Sequence, residues 1–471
     1  MKIKVIKIVS FFLIFFILLV IIINILIFQD TRGLYQTSCF YNQPKNSIDV
    51  LFIGNSHSFC DINPAILYNE YGIASYNFAT GESAIYLVYF YLKEALKTQK
   101  PKLIVLEPHS AVRDFHYLTM KALFNSIPSF KLSKNKIEAL KVSTGKDDYI
   151  SFLNPLYYYN NRYSNINRDD FIFKEELKYF KGHLMFSNSI PQIEPNNDNM
   201  YLSKELPIKM YEYLKKIIEL SKTNNINLLI SVSPYIIYDE TEQLQFNSIK
   251  EIADNYDINF INFNFNYDDY DLNFDEDFND PHHLNYKGSE KFTKYLGKYL
   301  KENYDLPDRR GDTKYYSWEM NAKYEYKHIY NLELKNLLSL NDYIEKVKNA
   351  DDYVVGITMI GNYHNNDVVV QSIASNFNIN DIYLQNSSYV IDNNKLIYSS
   401  SGSNNYLFYK EIGNYTDLVI DSGQKLSINR TNYIKTQNGI NIIIYDKFTE
   451  EILDNIYLEY QGNAINPTIK R

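Results

Sequence analysis

Three residues of this chain have the types and placement for nucleophilic catalysis. Residues 54–58 read Gly-Asn-Ser-His-Ser and follow the apolar run Ile48-Asp-Val-Leu-Phe-Ile53. A small residue, a polar residue and a serine at the end of a buried strand present a hydroxyl at a sheet edge. Serine is a weak nucleophile at its own pKa and needs an adjacent base. Asp280-Pro-His-His283 supplies one, 227 residues after Ser56. Asp280 and His283 are close enough for one loop to hold both, with the carboxylate on Nδ1–H and Nε2 facing Ser56. His282 is the alternative base, but the D-x-x-H spacing favours His283. Acyl chemistry also needs oxyanion donors. The backbone N–H groups of Ser56 and Gly81 are the candidates, and Asn55, His57 and Glu107 are further candidates for the oxyanion or the substrate.

Elements that would position these residues follow from the pattern. Strands are expected at 48–53, 75–79, 101–106, 226–232 and 259–263, alternating with helices. Asn63-Pro64 reads as an N-cap and first helical position. Ala84–Leu96 reads as a buried helix, and Met210, Leu214, Ile217 and Ile218 share one helical face. Alternating strands and helices imply a parallel sheet covered on both faces. Ligands of such sheets bind outside the carboxyl ends of the strands, where both motifs fall. Residues 108–206 read as an insertion, rich in Tyr and Asn (Tyr157-Tyr-Tyr-Asn-Asn-Arg162), that would serve as a lid or substrate platform.

The expected organisation is a cytoplasmic tip and anchor over 1–30, a catalytic domain over 31–300, a linker over 301–316 and a β-rich accessory domain over 317–471. In the last part, Tyr353–Met359, Ile382-Tyr-Leu384 and Ile440–Tyr445 read as strands. The anchor is the apolar run 8–28, interrupted only by Ser10 and Asn24. Its length of about 30 Å matches a hydrocarbon core. Lys2, Lys4 and Lys7 precede it, so the positive-inside rule puts the N-terminus in the cytoplasm and the rest outside. The run is too long for a cleaved signal peptide and no A-x-A-like site follows.

The formal charge of −8 argues against nucleic-acid binding. Cys39 and Cys60 would lie where a disulfide is permitted, and the sequence leaves their pairing open. His57, His109, His282 and His283 lack the spacing of a metal site, and no cofactor is expected. Arg113 and Arg162 are candidates for binding an anionic polymer.

Gly54-Asn-Ser56, Asn77-Phe-Ala-Thr-Gly81 and Asp280-Pro-His-His283-Leu-Asn285 resemble blocks I, II and V of the SGNH (GDSL-like) hydrolases. The resemblance spans about residues 48–300. It implies a flavodoxin-like three-layer α/β/α domain after the anchor, with Ser56, Asp280 and His283 catalytic. Where the family carries Gly-x-Asn-Asp, whose Asn donates to the oxyanion, this chain has Leu106-Glu107-Pro108-His109. That departure and the anchor make the chain look like a membrane-anchored branch, the D-alanyl transfer proteins of lipoteichoic acid and the acetyltransferase-like proteins of exopolysaccharide export. The resemblance implies O-acyl transfer or ester hydrolysis on a cell-surface glycan or teichoic-acid-like polymer through an acyl-serine. A membrane-bound O-acyltransferase is the implied partner. The alternative is an inactive glycan-binding or assembly factor on the same fold. Leu426-Ser-Ile-Asn429, Tyr433, Asn438–Asp446 and Ile452-Leu-Asp454 resemble the interleukin-like epithelial–mesenchymal-transition inducer domain, which implies a binding or packing role in an α+β module.

Overall fold

A computed structural model of the chain describes residues 2–26, 33–144, 149, 152, 160–166, 171, 175–195, 202–237, 239–265, 267–362, 367–379, 385–400, 406–414, 416–421, 425–461 and 464–471. The Tyr157–Tyr159 part of the Tyr/Asn run and the expected strand 382–384 lie outside the described residues. The chain forms two compact units, Met1–Glu325 and Tyr326–Arg471.

The first unit is built on five parallel strands, β1 (Val50–Ile53), β2 (Ser75–Asn77), β3 (Leu103–Leu106), β4 (Asn227–Val232) and β5 (Asn259–Asn262), in the order β2-β1-β3-β4-β5. This is the doubly wound order of flavodoxin-like sheets. The first three strands are buried throughout, which is why they read as continuous apolar runs rather than alternations. Val50, Phe52, Leu103, Val105 and Leu229 share one face with Leu67, Phe292 and Leu296. Those side chains come from α4 (Pro64–Tyr71) and α11 (Tyr286–Asn303), which pack on each other. Alternation along the strands turns Leu51, Ile53, Ile104, Leu106 and Ile230 to the other side. There α5 (Ile85–Ala95) packs against α9 (Ile208–Thr223) and α8 (Lys134–Thr144).

Local sequence sets the helix ends. Asn63 accepts a hydrogen bond from the Ala65 amide, Pro64 occupies the first turn, and Gly72 closes α4 in the left-handed region at φ 68°. Asn285 caps α11 by accepting from Lys287 and Gly288.

Before the sheet, α1 (Lys2–Leu26) is the one helix among the described residues long and apolar enough to cross a membrane, with mean hydropathy 3.2 over Lys4–Ile23. Its large apolar side chains from Val5 to Ile22, apart from the half-buried Leu19, are exposed. The Arg162 guanidinium, one of the two candidates for an anionic polymer, donates to the Ile25 carbonyl at 2.8 Å.

Residues 301–316, expected as a linker, are packed into the first unit. Arg309 makes two 2.8 Å hydrogen bonds to the Asp49 carboxylate, and its amide bonds to the Gly72 carbonyl. The fully buried Trp318 donates its indole N–H to the Ser75 carbonyl at 2.9 Å. The boundary at Glu325 falls within α12 (Tyr316–Asn336), so the composition shift near 301 does not mark where the unit ends.

The second unit has an antiparallel six-stranded sheet with β8 (Tyr353–Asn362) and β15 (Gly439–Asp446) at its centre. Helices α13 (Leu340–Lys348) and α14 (Val368–Phe377) cover one face through Tyr343, Val347, Val370 and Ile373. A four-stranded sheet covers the other through Leu418, Ile420, Leu426 and Ile428.

Replacing Arg309 with Ala should leave the mostly buried Asp49 carboxylate without its main partner, at a cost of about 1–3 kcal/mol. The expected result is a lower melting temperature and earlier proteolytic cleavage within 301–316. A melting temperature and cleavage pattern equal to wild type would show that Arg309 does not hold this segment.

Candidate active site

The turn after β1 is shaped by what surrounds it. Gly54 has φ 155°, and a Cβ there would lie 2.5 Å from the Ser58 hydroxyl and 2.8 Å from the Glu107 Cβ. No larger residue fits without moving the strand-to-helix turn. Asn55 is extended and caps α3 (Ser56–Asp61), accepting from the His57 amide at 3.1 Å. Ser56 therefore opens α3 at the carboxyl edge of the sheet.

The base arrives on a hairpin of β6 (Phe278–Asp280) and β7 (His283–Leu284). His283 Nε2 lies 2.8 Å from Ser56 Oγ, and its Nδ1 lies 3.0 Å from each Asp280 carboxylate oxygen. An ionised carboxylate only accepts, so Nδ1 carries the proton and the bare Nε2 accepts from the serine hydroxyl. Burial would raise the Asp280 carboxyl. The hydrogen bond and electrostatic pull of His283, with donors from the His282 amide and Asn279, outweigh burial and hold it at about 2. Asp280 is thus ionised across the neutral range. His282 makes its contact through its amide, and the structure brings His283, not His282, to Ser56.

The hairpin is pinned to the nucleophile's own helix. The Leu284 amide donates to Asp61 Oδ1 at 3.0 Å, and Asp61 ends the six-residue helix that Ser56 begins. On the far side, Asn285 starts α11 and the Pro281 carbonyl accepts from the Ile236 amide at 2.8 Å. Both sides of His283 are fixed.

Gly81 joins Ser56 and His283 around a pocket of about 130 Å³. Among the described residues, neither the Ser56 nor the Gly81 amide is committed to a protein acceptor, and both residues line the same pocket.

Asn55, His57 and Glu107, expected at the oxyanion or substrate, lie beneath the nucleophile turn and do not line this pocket. With its Oδ1 committed to the His57 amide, Asn55 presents Nδ2 to His109 Nδ1 at 2.7 Å. His109 Nδ1 must then accept, which puts its proton on Nε2, 3.8 Å from Glu242 Oε2. His57 stacks on His109 with ring centroids 4.4 Å apart. Burial, then neighbouring positive groups, push both imidazoles well below the usual range, so both are neutral. Glu107 accepts from the His109 amide at 3.1 Å, and burial pushes its carboxyl up to about 8. Arg113, the other expected polymer contact, lies 3.7 Å from the Glu242 carboxylate. No cluster of metal ligands occurs among the described residues, and the two buried cysteines are not joined in a disulfide.

Asp61, Leu184 and Phe186 were not legible as site residues. Asp61 had one signal, an acid inside the apolar stretch Phe59-Cys60-Asp61-Ile62. Leu184 and Phe186 sit on an extended segment without period or cap.

No protein-family model matches the chain, and no curated protein matches it. Among solved structures it is similar to a candidate lipolytic protein of the G-D-S-L family from Desulfitobacterium hafniense DCB-2, at 10% identity and a TM-score of 0.30 over 54% of this chain and 99% of that one. It is similar to a candidate acylhydrolase from Bacteroides fragilis NCTC 9343, at 12% identity and a TM-score of 0.28 over 56% and 94%. A GDSL-like lipase from Bacteroides thetaiotaomicron VPI-5482 matches at 12% identity and a TM-score of 0.26 over 54% and 87%.

The Glu107 carboxyl has a testable consequence. A carboxyl whose folded pKa is raised stabilises the fold fully below its unfolded value of 4.5, and that contribution is lost as pH rises through about 8. Glu107→Gln removes the titration. Its melting temperature relative to wild type should rise between pH 5 and 8 and then level off. A difference that stays flat over that window would contradict a protonated Glu107.

Proposed function

We propose that this protein is a serine-dependent O-acyltransferase or esterase that works outside the cytoplasmic membrane on a surface glycopolymer. The single observation carrying the chemistry is the continuous hydrogen-bonded line from Ser56 Oγ through His283 to Asp280. Ser56 Oγ attacks the acyl carbonyl while its proton moves to His283 Nε2. The carbonyl oxygen takes the negative charge beside the N–H groups of Ser56 and Gly81. As the tetrahedral adduct collapses, the bond to the leaving oxygen breaks and that oxygen takes the proton from His283. The acyl-serine is then attacked by a sugar hydroxyl or water, whose proton passes to His283; the acyl–Oγ bond breaks and Ser56 Oγ takes that proton back. Asp280 stays ionised and holds the imidazole in the tautomer that both steps need.

The acceptor and the location rest on other support. The resemblance of the three motif segments to membrane-anchored acyl-transfer proteins favours a glycan or teichoic-acid-like polymer. The apolar α1 with lysines before it favours a single crossing with the bulk of the chain outside. A membrane-bound O-acyltransferase would then hand over the acyl group. The second unit is read as an accessory binding or packing module.

Ser56→Ala should abolish labelling by a small fluorophosphonate and reduce acylation turnover by about 10³-fold or more. Asp280→Asn should keep the fold and lose a comparable factor, because it reverses the tautomer preference of His283. Folded wild-type protein that neither labels at Ser56 nor changes the acylation of the surface polymer would instead indicate a binding or assembly factor.

A further inference from the structure

We propose that the pocket beside Ser56 is an acyl-chain site that admits only short acyl groups, and that Phe186 and Leu184 set its depth. This rests on the serine-acyl reading above and names its substrate class. The pocket holds about 130 Å³. A protein cavity of about 150 Å³ accepts benzene, so this one takes an acyl group of about five heavy atoms or fewer.

The geometry assigns the pocket to the acyl part of the substrate. Once the carbonyl carbon meets Ser56 Oγ, its oxygen must face the Ser56 and Gly81 amides. The leaving oxygen must face His283 Nε2 to receive a proton. The remaining substituent is the acyl chain, and apart from Asn125 and the Glu82–Lys121 rim the remaining lining is mostly apolar. Phe59, Cys60 and Ala79 form a buried cluster with Leu184 and Phe186 packed against it, and Ala122 faces the same space. Each methylene that leaves water for such a wall favours binding by about four-fold.

The wall is fixed rather than adaptable. Leu184 and Phe186 lie on an extended segment that hydrogen bonds along its length to rigid elements. The Leu184 amide bonds to the Phe59 carbonyl at 2.8 Å, and the Phe186 carbonyl accepts from the Tyr286 amide at 2.8 Å. Gln36 donates to the Gly182 carbonyl at 2.9 Å, and Asn285 to the Asn188 carbonyl at 3.0 Å. The Phe186 ring lies 5.6 Å from the His283 ring, so it also bounds the base. A longer chain directed at this wall would have to displace Phe186. Glu82 and Lys121 form a 3.0 Å ion pair at the pocket's exposed rim, which gives the opening a polar lip and leaves the depth to the two apolar side chains.

The test uses the full chain in detergent with 4-nitrophenyl esters from acetyl to octanoyl. The leaving group is constant, so only the acyl part varies. Wild type should prefer acetyl through butyryl, with kcat/KM falling at least ten-fold by hexanoyl. Phe186→Ala should recover ten-fold or more on hexanoyl relative to acetyl, and Leu184→Ala less. Ala122→Leu, which narrows the same space, should shift the preference toward acetyl and guards against a Phe186 variant that fails to fold. Labelling of Ser56 by a small fluorophosphonate with equal turnover of all chain lengths would overturn the pocket inference alone. Neither labelling nor turnover of any ester would overturn the serine reading and this inference with it.

Discussion

The hydrogen bond from the Leu284 amide to Asp61 joins segments 223 residues apart, and the geometry at the serine depends on it. Helix α3 carries Ser56 at one end and Asp61 at the other, so one short element both presents the hydroxyl and grips the strand bearing His283. Any movement of β7 relative to α3 would lengthen the 2.8 Å contact between His283 and Ser56. The carboxyl that makes this bond is fully buried, and burial pushes its pKa well upward, against the pull of the Leu284 amide. A buried acid is costly unless it is hydrogen-bonded or neutral. Its retention here is explained by the position it enforces on the base.

The layer beneath the nucleophile obeys the same rule. Asn55, His57, Glu107 and His109 are polar and nearly inaccessible, and three of them titrate. Burial drives each toward its neutral form, both imidazoles by lowering and Glu107 by raising. The layer therefore carries little charge near neutral pH, and the ionised Asp280 is the carboxylate that directly faces His283. This separation suits a serine hydrolase-like line, since a second ionised carboxylate beside His283 would compete to orient its proton.

The sheet and the line Ser56–His283–Asp280 were readable because both leave period or spacing in the sequence. Buried parallel strands give apolar runs ending at motif residues, and one hairpin keeps Asp280 and His283 three residues apart. Segment 181–192 was not readable because its backbone bonds to scattered partners, including Asn77, Phe59, Tyr286 and Phe278. Such a segment takes its shape from tertiary contacts and carries no pattern of its own. The attachment of 301–316 was hidden for a related reason. Charged residues and Pro307 read as a linker, yet Arg309 is committed to an aspartate 260 positions earlier.

The position of Glu107 bears on how the oxyanion is met. In the resembled family an Asn after the third strand donates to it. Here the equivalent strand end turns inward, with Glu107 under Gly54 and its carboxyl accepting from the His109 amide. His109 in turn receives the Asn55 amide that fixes the nucleophile turn. The residues at this point thus support the turn from below rather than reach the substrate from above. On the proposed mechanism two backbone donors, Ser56 and Gly81, would remain for the oxyanion. Losing one side-chain donor costs about 10²–10³-fold in the rate of acyl transfer. On the reading proposed above, an activated acyl donor would offset such a deficit better than an ordinary ester.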